Sequence, residues 1–151
     1  MKLKIKTDFD KLARAFEKFP EETRKMVRIQ LKEAAEGIKE RAAREHRYTS
    51  RSTKLEREGV DYRVEDNVAI VALSPRVPYG LYVHEGTKPH IILPSKKKLL
   101  RWTDGNRWFS KRQVNHPGTK PDQFLYNAAN KELPLIQSRF DNALEKIVRN
   151  L

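Results

Sequence analysis

Three histidines and one neighbouring acid are the residues whose types could do chemistry. His84, His90 and His116 are possible zinc ligands, and Glu85 is a possible general acid. The spacing of these histidines matches no zinc-ligand pattern, and the chain has no cysteine to add thiolates. It also has no Gly-x-Ser-x-Gly elbow and no phosphate-binding glycine loop. We therefore predict no catalytic residue, no metal site and no cofactor, and we expect that the protein is not an enzyme.

All three of these histidines flank a repeated tetrapeptide. Gly-Thr-Lys-Pro occupies residues 86–89 and again residues 118–121. Glycine accepts the positive φ of a tight turn, whereas proline fixes its own φ and pushes the preceding lysine toward an extended conformation. Each copy therefore predicts a turn that leads into an extended segment. The simplest interpretation is a pair of similar turns closing similar hairpins, and the functional one is a pair of patches at a subunit interface.

Positive charge is concentrated around and between the two copies. The formal net charge is +12, and residues 86–121 hold nine Lys and Arg against Asp104, a net of +8. Residues 1–60 interleave seventeen bases with eleven acids, which is typical of a solvated helix face. The segment that we expect to contact DNA or an acidic partner supplies Lys96, Lys97, Lys98, Arg101, Arg107, Lys111 and Arg112. Aromatic residues lie within this segment, and we expect them to pack in the core.

The N-terminal half predicts a strand followed by helices. Residues 1–7 alternate apolar and lysine residues, which predicts a short edge strand. Asp8 can cap a short helix, and Pro20 suits the first turn of a second one. That second helix carries an apolar stripe, which we expect to pack closely against a sheet: Val27, Leu31, Ala34, Ala35, Ile38 and Ala42. Residues 45–58 lack apolar periodicity and predict an exposed loop or mobile arm.

The rest of the chain predicts strands and then helix. Alternation on either side of residues 65–67 predicts an antiparallel hairpin, with Val60, Tyr62 and Val64 as the apolar positions of one strand and Val68, Ile70 and Ala72 as those of the other. Further strands are predicted at residues 90–93, at residues 99–102 and from Trp108. Asp122 is a candidate N-cap for a C-terminal helix, and Pro134 predicts a break within it or the first turn of a second helix. We predict a single α+β domain, residues 1–151, with an antiparallel sheet covered on one face by a long N-terminal helix and a C-terminal helix.

Several stretches around the repeat resemble one protein family. They are Tyr-Val-His-Glu-Gly-Thr (residues 82–87), Ile-x-Pro-x-Lys-Lys-x-Leu-x-x-Trp (residues 92–102), and His-Pro-Gly-Thr-x-Pro-x-x-Phe-Leu-x-x-Ala (residues 116–128). Together they resemble the tail-component family of long-tailed bacteriophages, the small neck or tail-completion proteins of head-to-tail joining. The resemblance is strong over residues 79–129 and looser over the N-terminal helices. Many members carry Thr-Gly-x-Leu after the long helix, where this chain has Thr-Ser-Arg-Ser-Thr-Lys-Leu at residues 49–55.

The resemblance implies a structural virion protein of the phage neck. Such a protein is made in the host bacterial cytoplasm and assembles as a ring, which joins or completes the tail and lines or adjoins the DNA channel. Its implied partners are further copies of itself, connector or head-closure proteins, tail-tube or tail-terminator proteins, and passing double-stranded DNA. The candidate interface residues are Tyr79, Tyr82, His84, Glu85, Gly86, Thr87, Lys88, His116, Gly118, Thr119 and Lys120.

Charge alone leaves a second function class open. A stand-alone basic nucleic-acid-binding module would use the same basic segment, although no helix-turn-helix, zinc-finger, RNP or KH signature is present. A small ribonuclease toxin is a third option, suggested only by size, charge and the helix-plus-sheet layout. Nothing in the sequence predicts a signal peptide or a membrane span.

Overall fold

Five helices and six strands make up the described part of the chain. The structure, a computed structural model, describes residues 9–149 except residues 19, 51 and 66. The predicted strand at residues 1–7 and the predicted cap at Asp8 lie outside these residues. In chain order the elements are α1 (Phe9–Lys18), α2 (Pro20–Arg44), α3 (Lys54–Glu58), β1 (Val60–Glu65), β2 (Val68–Leu73), α4 (Tyr79–Glu85), β3 (His90–Ile92), β4 (Leu100–Thr103), β5 (Trp108–Lys111), β6 (Val114–His116) and α5 (Phe124–Arg149).

Helix α2 is the long N-terminal helix that the apolar stripe predicts. It begins at Pro20, whose missing N–H costs nothing in the first helical turn. All six residues of the stripe are buried, so the stripe faces the core as expected. Its most extensive neighbour is α5, with β1 and β2 next, so the alanines serve a helix–helix contact as well as the sheet.

The hairpin of β1 and β2 forms as predicted, but the apolar phase of β2 is the opposite of the one expected. Val60, Tyr62 and Val64 lie opposite Leu73, Val71 and Ala69, and these six residues belong to the core or pack against it. The predicted set Val68, Ile70 and Ala72 therefore lies on the outer face. Because every residue of β2 is apolar, its alternation cannot tell the two faces apart.

Residues 45–58 are not an exposed loop throughout. Helix α3 lies within them, and Leu55 is buried in the core. Leu55 also contacts the next helix, because a Cβ added at Gly80 of α4 would lie 2.9 Å from Leu55 Cδ1. Leu55 is a single apolar residue in a polar segment, so it gave no periodic signal. Its burial nevertheless holds the segment against the core.

Helix α5 runs from Phe124 to Arg149 without the break predicted at Pro134, which lies inside it. Asp122 was predicted as its N-cap, but the Asp122 carboxylate binds the loop after α2: Oδ2 accepts hydrogen bonds from the backbone N–H groups of Arg47 (2.5 Å) and Tyr48 (2.8 Å). Asp122 is thereby a buried link between two segments far apart in sequence.

An ion-pair network joins α2 to α5. The buried carboxylate of Glu132 accepts from Arg41 Nε at 2.8 Å through Oε2 and from Arg139 at 2.7 Å through Oε1. A Cβ added at Gly37 would lie 2.7 Å from Glu132 Oε1, so the absence of a side chain at Gly37 makes room for this carboxylate. The two long helices are thus held by both apolar packing and a satisfied buried charge.

The predicted fold class is confirmed. The chain mixes helix and strand, and an antiparallel sheet packs against α2 and α5. The strands nevertheless form three two-stranded antiparallel ribbons, β1–β2, β3–β6 and β4–β5, where a single sheet was expected. Within the described residues, no helix is long and apolar enough to cross a membrane.

Candidate functional site

The two Gly-Thr-Lys-Pro segments pair with each other. Thr87 N–H donates to the Thr119 carbonyl at 2.9 Å, and Thr119 N–H donates to the Thr87 carbonyl at 3.0 Å. The same antiparallel register continues into β3 and β6, where His90 lies opposite His116. The two turns therefore do not close separate hairpins, as the simplest interpretation expected. They form the base of a single ribbon.

Glycine is required in both copies because the backbones approach closely there. Gly86 has a φ of 74°, and a Cβ on it would lie 2.6 Å from the Thr119 carbonyl oxygen. Gly118 has a φ of 86°, and a Cβ on it would lie 2.3 Å from the Thr87 carbonyl oxygen. Each glycine thus leaves room for the threonine of the other copy, which explains why the motif occurs twice.

The base of the ribbon is attached to the body through α4. Asp122 N–H donates to the Val83 carbonyl at 3.0 Å. His84 is buried, with its ring edge-on to Phe124 and to Tyr126 of α5 at centroid distances of 5.3 and 4.8 Å. These contacts fix α4 against α5 and leave His84 inside the protein, so it is no surface residue.

His84 does have a carboxylate partner, which the sequence did not predict. His84 Nδ1 and Glu85 Oε1 lie 2.9 Å apart, while His84 Nε2 is buried without a hydrogen-bond partner among the described residues. A histidine–carboxylate pair is the usual unit of general base catalysis. Here the imidazole is only 2% exposed, so no substrate reaches it in this conformation.

A second group of contacts, between the loop after α2 and the start of α5, was also missed by the sequence analysis. The His46 and Tyr48 rings stack at 3.8 Å, and Tyr48 packs edge-on to Phe124 at 5.5 Å. His46 Nε2 lies 3.5 Å from Glu56 Oε1, which is buried. Burial and the nearby Glu56 charge raise the pKa of Tyr48 above its ordinary value. Together with Asp122, these residues hold the loop after α2 against the start of α5.

The other two histidines lie together on the ribbon. The His90 and His116 rings face each other across the strands with centroids 4.9 Å apart. His116 Nδ1 accepts a hydrogen bond from the Gly118 N–H at 3.1 Å, which places the proton of the neutral ring on Nε2. His84 is not part of this pair. Among the described residues, no group of three His, Asp or Glu side chains could hold a metal ion.

Residues 88–120 form a projection that we call the basic arm. Its stem is the ribbon β3–β6 and its tip is the ribbon β4–β5. The strands of each ribbon contact each other far more than they contact any other element. Nearly every residue of the arm is exposed or half-buried, so the arm stands apart from the core.

The tip carries aromatic residues on both faces. Trp102 and Phe109 are paired across β4 and β5 and stack at 5.5 Å. Trp108 faces the other way and is 72% exposed, with the Arg101 guanidinium 5.9 Å from its ring centre. The expectation that these aromatic residues pack in the core is therefore wrong for both Trp102, which is 38% exposed, and Trp108.

A compact turn connects β4 to β5. Asp104 Oδ1 accepts from the N–H groups of Asn106 (2.9 Å) and Arg107 (2.8 Å). These backbone hydrogen bonds, that from Arg107 first, hold the pKa of Asp104 below its usual range. Asp104 is the only acid of the arm, and its carboxylate accepts backbone hydrogen bonds within the turn. Among the described residues it forms no ion pair with the bases of the arm.

The cations of the arm differ from those of the body. On the body, many bases are paired with acids, as in Arg24–Glu21, Arg76–Asp61 and Lys131–Glu45. In the part of the chain that the structure describes, no acid lies within ion-pair distance of any of the nine bases of the arm: Lys88, Lys96, Lys97, Lys98, Arg101, Arg107, Lys111, Arg112 and Lys120. The predicted electrostatic site is therefore a single uncompensated projection.

Exposed apolar side chains lie just before and within the stem. On α4, Tyr79, Leu81 and Tyr82 are exposed, and in the stem and just after it Ile91 and Leu93 are exposed, all between 42% and 64%. Two of the predicted interface residues, Tyr79 and Tyr82, belong to this set. We call these five residues the apolar patch.

The predicted interface residues thus divide into three groups. The backbones of Thr87 and Thr119 pair with each other, Gly86 and Gly118 leave room for that pairing, and the Thr87 hydroxyl is buried without a partner among the described residues. His84 is buried. The remainder lie at the surface, or half-buried for His116: Tyr79, Tyr82, Glu85, Lys88, His116 and Lys120.

No family model, curated protein or solved structure matches this chain. What the basic arm and the apolar patch do must therefore be argued from their geometry and chemistry.

Proposed function

We propose that this protein is a structural subunit of the phage neck that assembles as a homo-oligomeric ring and joins or completes the tail. In the proposed ring, the basic arm faces the DNA channel or an acidic partner ring. The resemblance over residues 79–129 supplies the setting, and the surface chemistry supports assembly.

The apolar patch is the observation that carries the proposal. Five large apolar side chains within fifteen residues, from Tyr79 to Leu93, are exposed, and such a concentration of exposed apolar residues along the chain favours a protein–protein contact. Tyrosine is also among the residues most enriched at the centres of interfaces. Burial against another subunit would remove this surface from water.

A heterologous contact is compatible with a ring. If the arm or patch of one copy contacts a different surface of the next copy, such contacts close into rings when the rotation permits. The paired turns fix the base of the arm, because Thr87 and Thr119 lock its two ends together.

The unpaired charge of the arm favours one alternative. A stand-alone nucleic-acid-binding module would use the same nine bases, without the need for a ring. Such a module would leave the apolar patch unexplained, which is why we place it second.

Electron microscopy of the purified protein tests the proposal. We expect closed rings with a central opening from the unmodified protein at high concentration. Tyr82→Asp should abolish them and leave thermal unfolding unchanged, because Tyr82 is 61% exposed. Leu135→Asp is the matched control, since Leu135 is also an exposed apolar helix residue but lies on α5, away from the patch in sequence. If the unmodified protein shows only single subunits, the ring proposal is wrong. If rings survive Tyr82→Asp, the proposed interface is wrong.

A further inference from the structure

We propose that the basic arm binds the phosphate backbone of double-stranded DNA without reading base sequence. We place this contact in the channel of the proposed ring, so the assignment rests on the proposed function for its setting. The binding itself is a property of one chain and is measured without a ring.

The first step is the charge of the arm. Nine bases and one acid lie within residues 88–120, and the acid is occupied in the turn of the tip. With no acid within ion-pair distance in the described chain, these bases repel each other until an anion is bound. Duplex DNA carries about one negative charge per 1.7 Å of helix axis, so it can neutralise many bases along an extended projection at once.

The second step is the kind of base. Six of the nine are lysines, which act as compact point charges and suit phosphates. Two of the three arginines are engaged with rings of the arm itself: Arg101 lies 5.9 Å from the centre of Trp108, and Arg107 lies 5.8 Å from that of Phe109. Lysine point charges contact a phosphate without a fixed bidentate geometry, which suits contact with any part of a DNA backbone.

The third step is the distribution of the bases. They lie on the strands of the tip (Arg101 and Lys111), directly beside β5 (Arg107 and Arg112), in the segment of residues 95–99 between the ribbons, and in both paired turns of the base. All nine positions are exposed, and no described pocket collects them. A row of exposed lysines without a base-reading helix suits sequence-independent contact with the backbone, as a channel that passes every sequence requires.

The chain contains its own reporter for this contact. It has two tryptophans, and both, Trp102 and Trp108, lie in the tip of the arm. A change in intrinsic fluorescence on addition of DNA therefore reports on the arm alone. The titration uses the full chain and a duplex of about 20 base pairs, in several salt concentrations, and is repeated with a second, unrelated duplex sequence.

Two triple variants sharpen the test. One removes Lys96, Lys97 and Lys98 from the arm by substitution with Ala, and the matched control removes Lys18, Lys25 and Arg28 from exposed positions of α1 and α2 in the same way. Each triple removes three positive charges. Because each phosphate contact contributes about 0.9 to the slope of log K against log salt, we expect the arm triple to lower that slope by about 2–3. Affinity near 0.1 M salt should fall on the order of a hundredfold, whereas the control should retain its slope.

Each other outcome overturns the assignment. Equal losses from both triples would mean that net charge alone drives binding. If the protein binds a polyglutamate peptide as tightly as it binds DNA, the partner of the arm is an acidic protein. If DNA causes no change in fluorescence, nucleic acid is excluded as the ligand of the arm. Rings that form without any DNA binding would refute this assignment and leave the proposed function standing, whereas DNA binding by a permanent monomer would do the reverse.

Discussion

Thr87 and Thr119 exchange both of their backbone hydrogen bonds, at 2.9 and 3.0 Å, and this exchange joins two copies of the same tetrapeptide. Each threonine is reached because the residue before it in its own copy is a glycine with positive φ. The repeat is therefore one structural device, in which each half holds the other. Its consequence is that the basic arm leaves the body from a closed base rather than from two loose loops.

The closed base predicts a strong effect of a single methyl group. In Gly118→Ala the new Cβ would lie 2.3 Å from the Thr87 carbonyl oxygen, on a backbone with a φ of 86°. We expect the free energy of unfolding, measured in urea, to fall by about 2–3 kcal/mol. Gly105→Ala is the control, because Gly105 also has positive φ but its added Cβ would meet nothing within 4 Å. Gly105→Ala should lower the free energy of unfolding by about 1 kcal/mol. Equal losses from Gly118→Ala and Gly105→Ala would show that the predicted clash with Thr87 has no effect.

The ion-pair network between α2 and α5 predicts a second effect. Glu132→Gln leaves Arg41 and Arg139 facing a neutral amide in a site where the Glu132 side chain is only 6% exposed. Because both arginines are partly exposed, we expect a loss of about 2–3 kcal/mol in the free energy of unfolding, below that of a fully buried pair. Glu145→Gln, which breaks an exposed pair with Arg149 at 3.3 Å, should change it by less than about 0.5 kcal/mol. If Glu132→Gln leaves the free energy of unfolding unchanged, the network adds no stability.

Pro134 offers a stabilising substitution. It lies exposed in the interior of α5, where it has no N–H to donate and interrupts the helical hydrogen bonds. Pro134→Ala should restore that donor and raise the free energy of unfolding by about 1–2 kcal/mol, after allowance for the greater freedom of the unfolded chain. Thermal unfolding followed by circular dichroism measures the change. A lower melting temperature would mean that the proline is needed for the packing of α5.

The contacts of Asp61 predict part of the loss of stability at low pH. A hydrogen bond with Ser74, together with the Arg76 guanidinium, holds the pKa of Asp61 below its usual range. Because the pKa is lowered on folding, the contribution to stability is present above the unfolded pKa of about 3.9 and is lost as the pH falls through the folded value. The free energy of unfolding of Asp61→Asn should therefore depend less on pH below about pH 5 than that of the unmodified protein. Identical pH profiles would rule out this contribution.

Periodic patterns in the sequence were enough to predict the long N-terminal helix and the fold class. The stripe from Val27 to Ala42 predicted a helix and its buried face, and a positional argument about Pro20 predicted where that helix begins. The fold class followed from the order of such segments. Where the pattern was ambiguous the prediction failed: β2 is apolar at every position, so its inner face depends on the register with β1.

Contacts between distant segments lay beyond prediction. Asp122 was expected to cap its own helix, but its carboxylate holds Arg47 and Tyr48, far away in sequence. In the same way, the repeat predicted two turns, but nothing local indicates that Thr87 and Thr119 meet. The charge of the arm was visible in the sequence, whereas its separation from the body was not.

Light scattering of the purified protein at several concentrations, with and without short duplex DNA at moderate salt, tests the central claim most directly. The account predicts a mass of several subunits that rises to a fixed plateau without DNA, as expected for a closed ring. A single-subunit mass at every concentration, which increases only when duplex DNA is added, would contradict it and favour a stand-alone nucleic-acid-binding module.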